Sequence, residues 1–361
     1  MQITPARLDG SKCCNGPIIR QLAKTVKKET FHLAYLANAS DLRKWSFHSA
    51  KRLNRESMKS RKFYKDIINH SYQRLADNGV LFYTTSDHLV YFTMYCVLAQ
   101  KYGIKVFGIC QMPDHVHDAV SARRQSDFVG FKRELNSRFA KEYNKFYGTE
   151  GQVFESPFGS APKYGDKKAR STIVYIGNNP VERKLVEHAE EYRWNYLAYA
   201  FCPNPYSEKI VIRRSSKALR TAIKIVKAQH KAGRPLNFTL LKNITRELSA
   251  RELQQITDFI ICTYNVIDYV SAIRFFDTYA DMLTAMHATT GSEHDLNEVF
   301  VAKSDKPYAQ MTRIILDKTG IKDIHQILTM DNDGKWELFL LLREKTDVMG
   351  EQIMKFLHMK K

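Results

Sequence analysis

Two short stretches carry the side chains best suited to chemistry. In Asp114-His115-Val116-His117 the histidines stand two residues apart. On a strand, residues i and i+2 project from one face, so the two imidazoles would lie side by side with Val116 turned away. Imidazole is the commonest nitrogen ligand for a metal at neutral pH. One His-x-His pair equally describes two unconnected histidines at a surface or a strand edge. The second stretch is Val174-Tyr175-Ile176-Gly177-Asn178-Asn179-Pro180. On a helix Tyr175 and Asn179 fall at i and i+4, one turn apart on one face. A phenol can serve as a nucleophile, and a carboxamide oxygen is a hard ligand suited to magnesium or manganese. Taken alone, the pair equally suits a core tyrosine and an asparagine that closes a helix before proline. With 19 tyrosines in 361 residues, a single one says little.

These side chains need elements to hold them. Gly79 precedes a β-prone run, Val80–Thr85. Ser86 or Asp87 can cap a helix with Leu89, Phe92, Cys96 and Ala99 on one face, stopped by Gly103. Residues 104–111 and 115–121 read as strands joined at Met112-Pro113-Asp114. Ser126 or Asp127 opens a helix carrying Phe128, Phe131, Leu135, Phe139 and Tyr143, which Gly148 stops. Residues 152–161 read as a strand bent at Pro157, and Asp166 opens a helix running to about Asn179, before Pro180. The order β-α-β-β-α-β-α predicts an α+β fold: a ferredoxin-like antiparallel sheet with packed helices.

Charge and composition organise the remainder. The formal net charge is +18, with 56 Lys+Arg against 38 Asp+Glu. The excess is +11 over residues 1–75 and +9 over 201–250, against only +2 over 76–200 and −6 over 251–300. A basic balance of this size points to a polyanion, nucleic acid first and an anionic membrane second. No apolar run approaches the roughly 18 residues that span a bilayer, and the first residues lack a signal-peptide core. Six cysteines without CxxC spacing read as reduced thiols of a cytosolic protein. The pattern predicts a basic helical N-terminal extension (1–75), a nearly neutral sheet-and-helix layer (76–200), a basic connector (201–235) and a helical C-terminal domain (236–361). That domain ends in Trp336–Glu344 and Glu351–His358 about a tight turn, a helix-turn-helix or another αα-hairpin. Removing 1–75 is expected to weaken DNA binding while sparing a metal site in the layer.

Several segments appear together, in order: Met-Pro-Asp-His-Val-His, the helix 127–147, Gly151-Gln-Val-Phe-Glu-Ser-Pro-Phe-Gly-Ser, and Tyr175-Ile176 with Asn179-Pro180-Val181, followed by Tyr192-Arg193-Trp194. Over about residues 76–200 this resembles the REP-associated tyrosine transposases, single-tyrosine members of the His-hydrophobic-His (HUH) endonucleases. The region 251–361 resembles the C-terminal extension of a longer subgroup. The resemblance implies that His115 and His117 bind Mg2+ or Mn2+ with Asn179 as third ligand, and that Tyr175 is the nucleophile. It further implies a nickase and strand-transferase acting through a 5′-phosphotyrosine link on single-stranded DNA with hairpins. The protein would be cytoplasmic, prokaryotic and nucleoid-associated, as a monomer or homodimer, with no membrane partner. Candidate DNA contacts are Arg123, Arg124, Lys132, Arg133, Lys163, Lys167, Lys168 and Arg170. The alternative is a domesticated DNA-binding protein that no longer cuts; a hydrolase using a water nucleophile is the third option. Two departures stand out. Asp118 replaces the family's apolar residue after the second histidine, and would face a sheet edge, add a carboxylate to the metal site or mark a decayed one. Pro157 and Gly159 replace residues that are often Arg and Lys.

Overall fold

The computed structural model describes residues 62–288 and 304–359. Of the basic helices expected over 18–75, the part up to residue 61 lies outside the described residues. At the centre is a sheet of four antiparallel strands: β1 (Asn69–Arg74), β2 (Lys105–Gln111), β3 (His115–Ser121) and β4 (Gly159–Pro162). Their order across the sheet is β2-β3-β1-β4. β3 is therefore an interior strand, and β1 pairs with both β3 and β4.

Three helices cover the sheet. Helices α1 (Thr85–Lys101) and α2 (Gln125–Tyr147) lie on one face, and α3 (Gly165–Glu182) lies on the other. Thr84, not Ser86 or Asp87, caps α1, in a reciprocal pair of bonds with Asp87. Such a box satisfies two orphan donors of the first turn. Gly148 ends α2 in a left-handed conformation at φ 70°. α3 runs past Asn179, with Pro180 inside its last turn.

The first strand of the sheet is not the β-prone run. Val80–Thr85 forms no strand; Leu81 and Phe82 donate their amides to the Pro113 carbonyl, at 2.8 and 3.0 Å, in the lead-in to α1. The first strand is β1, inside the segment expected to be a helical extension. Removing residues 1–75 would thus take an interior strand out of the sheet rather than spare the site upon it.

The basic connector expected at 201–235 contains a full helix, α4 (Lys217–Lys231). α4, α5 (Phe238–Thr245) and α6 (Ala250–Tyr264) share the apolar core that α1 and α2 form with the sheet. Two short helices come next, α7 (Tyr269–Ile273) and α8 (Tyr279–Ala288), and α8 packs on α3. The approach is close: a Cβ on Gly177 would sit 2.6 Å from the Met286 methyl. Asn178 Nδ2 donates to the Met286 carbonyl at 2.7 Å.

The C-terminal stretch holds α9 (Pro307–Lys318), α10 (Gln326–Thr329), α11 (Asn332–Lys345) and α12 (Gly350–Phe356) around its own core. Buried polar pairs tie it to the layer of sheet and helices: Arg183 with Asp305 at 2.6 Å and His325 with Asp87 at 3.0 Å. α11 and α12 form the expected helical hairpin. However, α12 buries Gln352, Ile353, Met354 and Phe356, and its Lys355 pairs with Asp114. A recognition helix needs a free face for the major groove; α12 spends most of its seven residues on packing. The four described cysteines, Cys96, Cys110, Cys202 and Cys262, are free thiols. Among the described residues no helix is long and apolar enough to cross a membrane.

Candidate active site

β3 places His115 and His117 on the face covered by α3. Val116 packs on the opposite side, in the core shared with α1 and α2. The two imidazoles lie nearly perpendicular, with ring centroids 4.8 Å apart. Register brings β1 alongside: Tyr72 stands opposite His117, and Arg74 opposite His115. His70 lies one pair further along on the same face, and its Nε2 is 3.0 Å from His117 Nδ1.

Tyr175 comes down onto this cluster from α3. Its ring meets His117 edge-on at 5.3 Å between centroids and His70 at 5.4 Å. Tyr175 is 7% exposed and His117 is fully buried. The helix thus docks over the histidine face, and nucleophile candidate and imidazoles form one cluster. Asn179 comes one turn later on α3, also buried, and its Nδ2 has no hydrogen-bond partner.

His115 is held from its other side. Its Nδ1 lies 2.5 Å from Asp114 Oδ1, and Lys355 pairs with the second Asp114 oxygen. Burial raises the Asp114 pKa, but His115 and the Lys355 ammonium more than offset this and hold the carboxyl well below the usual carboxylate range.

A divalent ion requires donors whose rings are fixed in orientation. Metal-bound histidines usually have their second nitrogen engaged by a carboxylate or another acceptor, which sets tautomer and angle. Both rings have that support, His115 through Asp114 and His117 through His70. The carboxamide oxygen of Asn179 is the third candidate donor; the Asn179 atom without a partner is the amide nitrogen, which does not ligate a cation. Among the described residues no group of three or more His, Cys, Asp or Glu is arranged to hold an ion. The donor chemistry that fits is two imidazoles and an amide oxygen.

Asp118 belongs to neither the edge nor the metal. It points to the α1/α2 face, where Ser71, Tyr95 and Lys132 all donate to its carboxylate, Tyr95 at 3.1 Å. Lys132, expected to contact DNA, is 2% exposed and forms a buried ion pair with Asp118. Burial pulls its ammonium below the usual value, and Asp118 opposes that pull. Lys163 is also buried, so it too is not a surface cation. Arg123, Arg124, Arg133, Lys167, Lys168 and Arg170 are exposed. Of these, Arg124 pairs with Asp127 at 2.9 Å, and Arg170 donates to the Phe275 carbonyl at 2.7 Å. Gly159 opposes Tyr72 in the β1–β4 pairing, and a Cβ there would collide with the Tyr72 ring. The glycine leaves room for the Tyr72 ring, which is tilted 36° to that of His117 at 6.0 Å between centroids.

Sequence reasoning missed His70 and Tyr72. Their alternation with Asn69, Ser71 and Gln73 is a strand signal, but it is written in polar residues on both faces.

The chain matches no protein-family model and no curated protein. Among solved structures it is similar to that of a REP-associated tyrosine transposase bound to a REP hairpin. The identity is 16%, with 42% of this chain aligned to 92% of that one and a TM-score of 0.34. The likeness is a distant one.

Proposed function

We propose that this protein is a DNA nickase and strand-transferase that uses Tyr175 as its nucleophile. The observation that carries the reading is the docking of Tyr175 within 5.3 Å, ring to ring, of His117 on the face shared with His115. The strand order β2-β3-β1-β4, with two strand–helix–strand units, supports a ferredoxin-like layer of the HUH kind.

A free phenol titrates near pH 10 and is a weak nucleophile at neutrality. His115, His117 and Asn179 would hold Mg2+ or Mn2+, which when bound supplies Lewis-acid polarisation of the scissile phosphate. Tyr175 Oη attacks phosphorus in line, its proton is lost to solvent, and the 3′ oxygen departs and takes up a proton. The products are a 5′-phosphotyrosine link and a 3′-OH. One phosphodiester is exchanged for another, so the 3′-OH of a second strand can reverse the step without a nucleotide cofactor. A single strand beside a hairpin stem suits a nucleophile that must reach an unpaired backbone.

Burial favours a second reading, a DNA-binding protein that no longer cuts. Tyr175, His115 and His117 are all enclosed, so a substrate can enter only if α3 lifts from the sheet. Incubation with labelled single-stranded DNA and Mg2+ or Mn2+ separates the two. The first reading expects a covalent protein–DNA adduct, absent in Tyr175→Phe; the second expects DNA binding with no adduct from either protein.

A further inference from the structure

Beyond the Tyr175 site, we infer that the outer face of α4 is a second nucleic-acid contact, one that grips the phosphate backbone of a duplex without reading its sequence. Lys217, Arg220, Lys224, Lys227 and Lys231 recur at alternating spacings of three and four residues along this helix. That spacing places all five on one stripe. All five are exposed; Arg220 also donates to the Ser215 carbonyl at 2.8 Å, which leaves its charge unneutralised. At about 1.5 Å rise per residue the stripe spans roughly 21 Å. A run of like charges this long costs self-repulsion unless counter-ions or a polyanion neutralise it.

The opposite face of α4 decides the class of partner. Leu219, Ala222, Ile223 and Val226 are buried in the core shared with α5 and α6. A helix that lies in a membrane surface must bury its apolar face in lipid, and this face is already occupied. The exposed face carries no aromatic residue; its other members are Thr221 and Ala228. Single-strand binders add aromatic platforms on which unpaired bases stack. Phe259 of α6, which lies beneath Lys227 at 5.9 Å, is partly buried in the core rather than presented for stacking, so the stripe fits a backbone whose bases are paired. Arg213, Arg214 and Arg234, also exposed, extend the positive surface past both ends of the helix. The contact is independent of the Tyr175 chemistry and stands whether or not an adduct forms.

The test uses the full chain and fluorescence anisotropy of a labelled duplex of arbitrary sequence, titrated at several salt concentrations. In one variant all five stripe cations become glutamine, which keeps helix propensity. In a control variant five exposed cations elsewhere, Lys141, Lys145, Arg313, Lys318 and Lys322, become glutamine, giving the same net charge. Each phosphate contact contributes about 0.9 to the slope of log K against log salt. The stripe variant is expected to bind duplex at least tenfold more weakly, with a slope flatter by about 3–4, and the control by far less. Scrambling the duplex sequence should leave wild-type affinity unchanged. Equal losses in both variants, or no loss in the stripe variant, would overturn the assignment. So would unchanged duplex binding alongside lost binding to phosphatidylserine vesicles, which would assign the stripe to a membrane.

Discussion

The two faces of the central sheet bury polar groups to opposite ends. Under α1 and α2, Asp118 is saturated: Ser71, Tyr95 and Lys132 all donate to it, and nothing there is left to react. Under α3, His70 and His117 meet Tyr175 through ring edges, His115 and Tyr72 adjoin His117, and hydrogen bonds orient the imidazoles. One step along β3, from His117 to Asp118, separates the candidate site from a buried ion pair. Net charge and burial alone would not distinguish them, because both clusters are enclosed. The difference lies in the kind of contact: an ion pair with added hydroxyl donors on one face, imidazole and phenol rings meeting edge to edge on the other.

The largest stability effect should come from breaking the Asp118 cluster. Lys132→Met leaves a buried carboxylate without its cation, which typically costs about 3–5 kcal/mol. Urea denaturation should show that loss, whereas Lys132→Met combined with Asp118→Leu should recover most of it. His117→Gln should cost only about 1 kcal/mol, the worth of one hydrogen bond, and yet remove adduct formation. If the two faces respond alike in stability and activity, the division between them fails.

Two histidines away from the site predict how stability varies with pH. His88, stacked between Phe82 and Trp194, is pushed down to about 4 by burial. The unfolded chain binds its proton near pH 6.5 and the folded chain does not, so stability declines as pH falls from 6.5 towards 4, by up to about 3 kcal/mol. At His325 burial acts to lower the pKa, but Asp87 and Asp323 overcome it and raise it to about 9. That contribution, also about 3 kcal/mol, is complete below pH 6.5 and is lost as pH rises through 9. Thermal melts across pH should therefore peak near 6.5. His88→Phe should flatten the acid limb and His325→Gln the alkaline limb.

A smaller effect is expected at the edge of the histidine face. In Gly159→Ala the new methyl meets the Tyr72 ring, which must shift. Overpacking of this kind costs about 1–3 kcal/mol. The His117 ring resonances should move in NMR spectra while those of Tyr95, on the other face, stay in place.

Much of the sheet-and-helix layer was legible in its sequence. Apolar periodicity marked α1 and α2, and the period of two put His115 and His117 on one side with Val116 opposed. The first strand was not legible, for a physical reason. Strand signals rely on β-branched and aromatic residues, and Asn-His-Ser-Tyr-Gln-Arg offers polar side chains to both faces. Partners distant in sequence satisfy them, as Asp118 does for Ser71. Val80–Thr85 had the propensity of a strand, but tertiary contacts use it as a lead-in to a helix. Lys132 and Lys163 looked like surface cations because burial of a charge depends on a partner that local sequence does not reveal. Lys355 on Asp114 is a similar case, since 241 residues separate the pair. The functions expected of residues 1–61 lie outside the described residues.

The central claim is that Tyr175 is placed to join DNA to the protein. Its most direct test is denaturing electrophoresis of wild type and Tyr175→Phe after incubation with 5′- and 3′-labelled single strands and Mn2+. The account predicts a covalent adduct that carries the label 3′ of the cut, leaves a free 3′-OH on the other fragment, and vanishes in the Phe variant. An adduct of equal yield in Tyr175→Phe, or none with wild type across a panel of single-stranded and hairpin substrates, would contradict it.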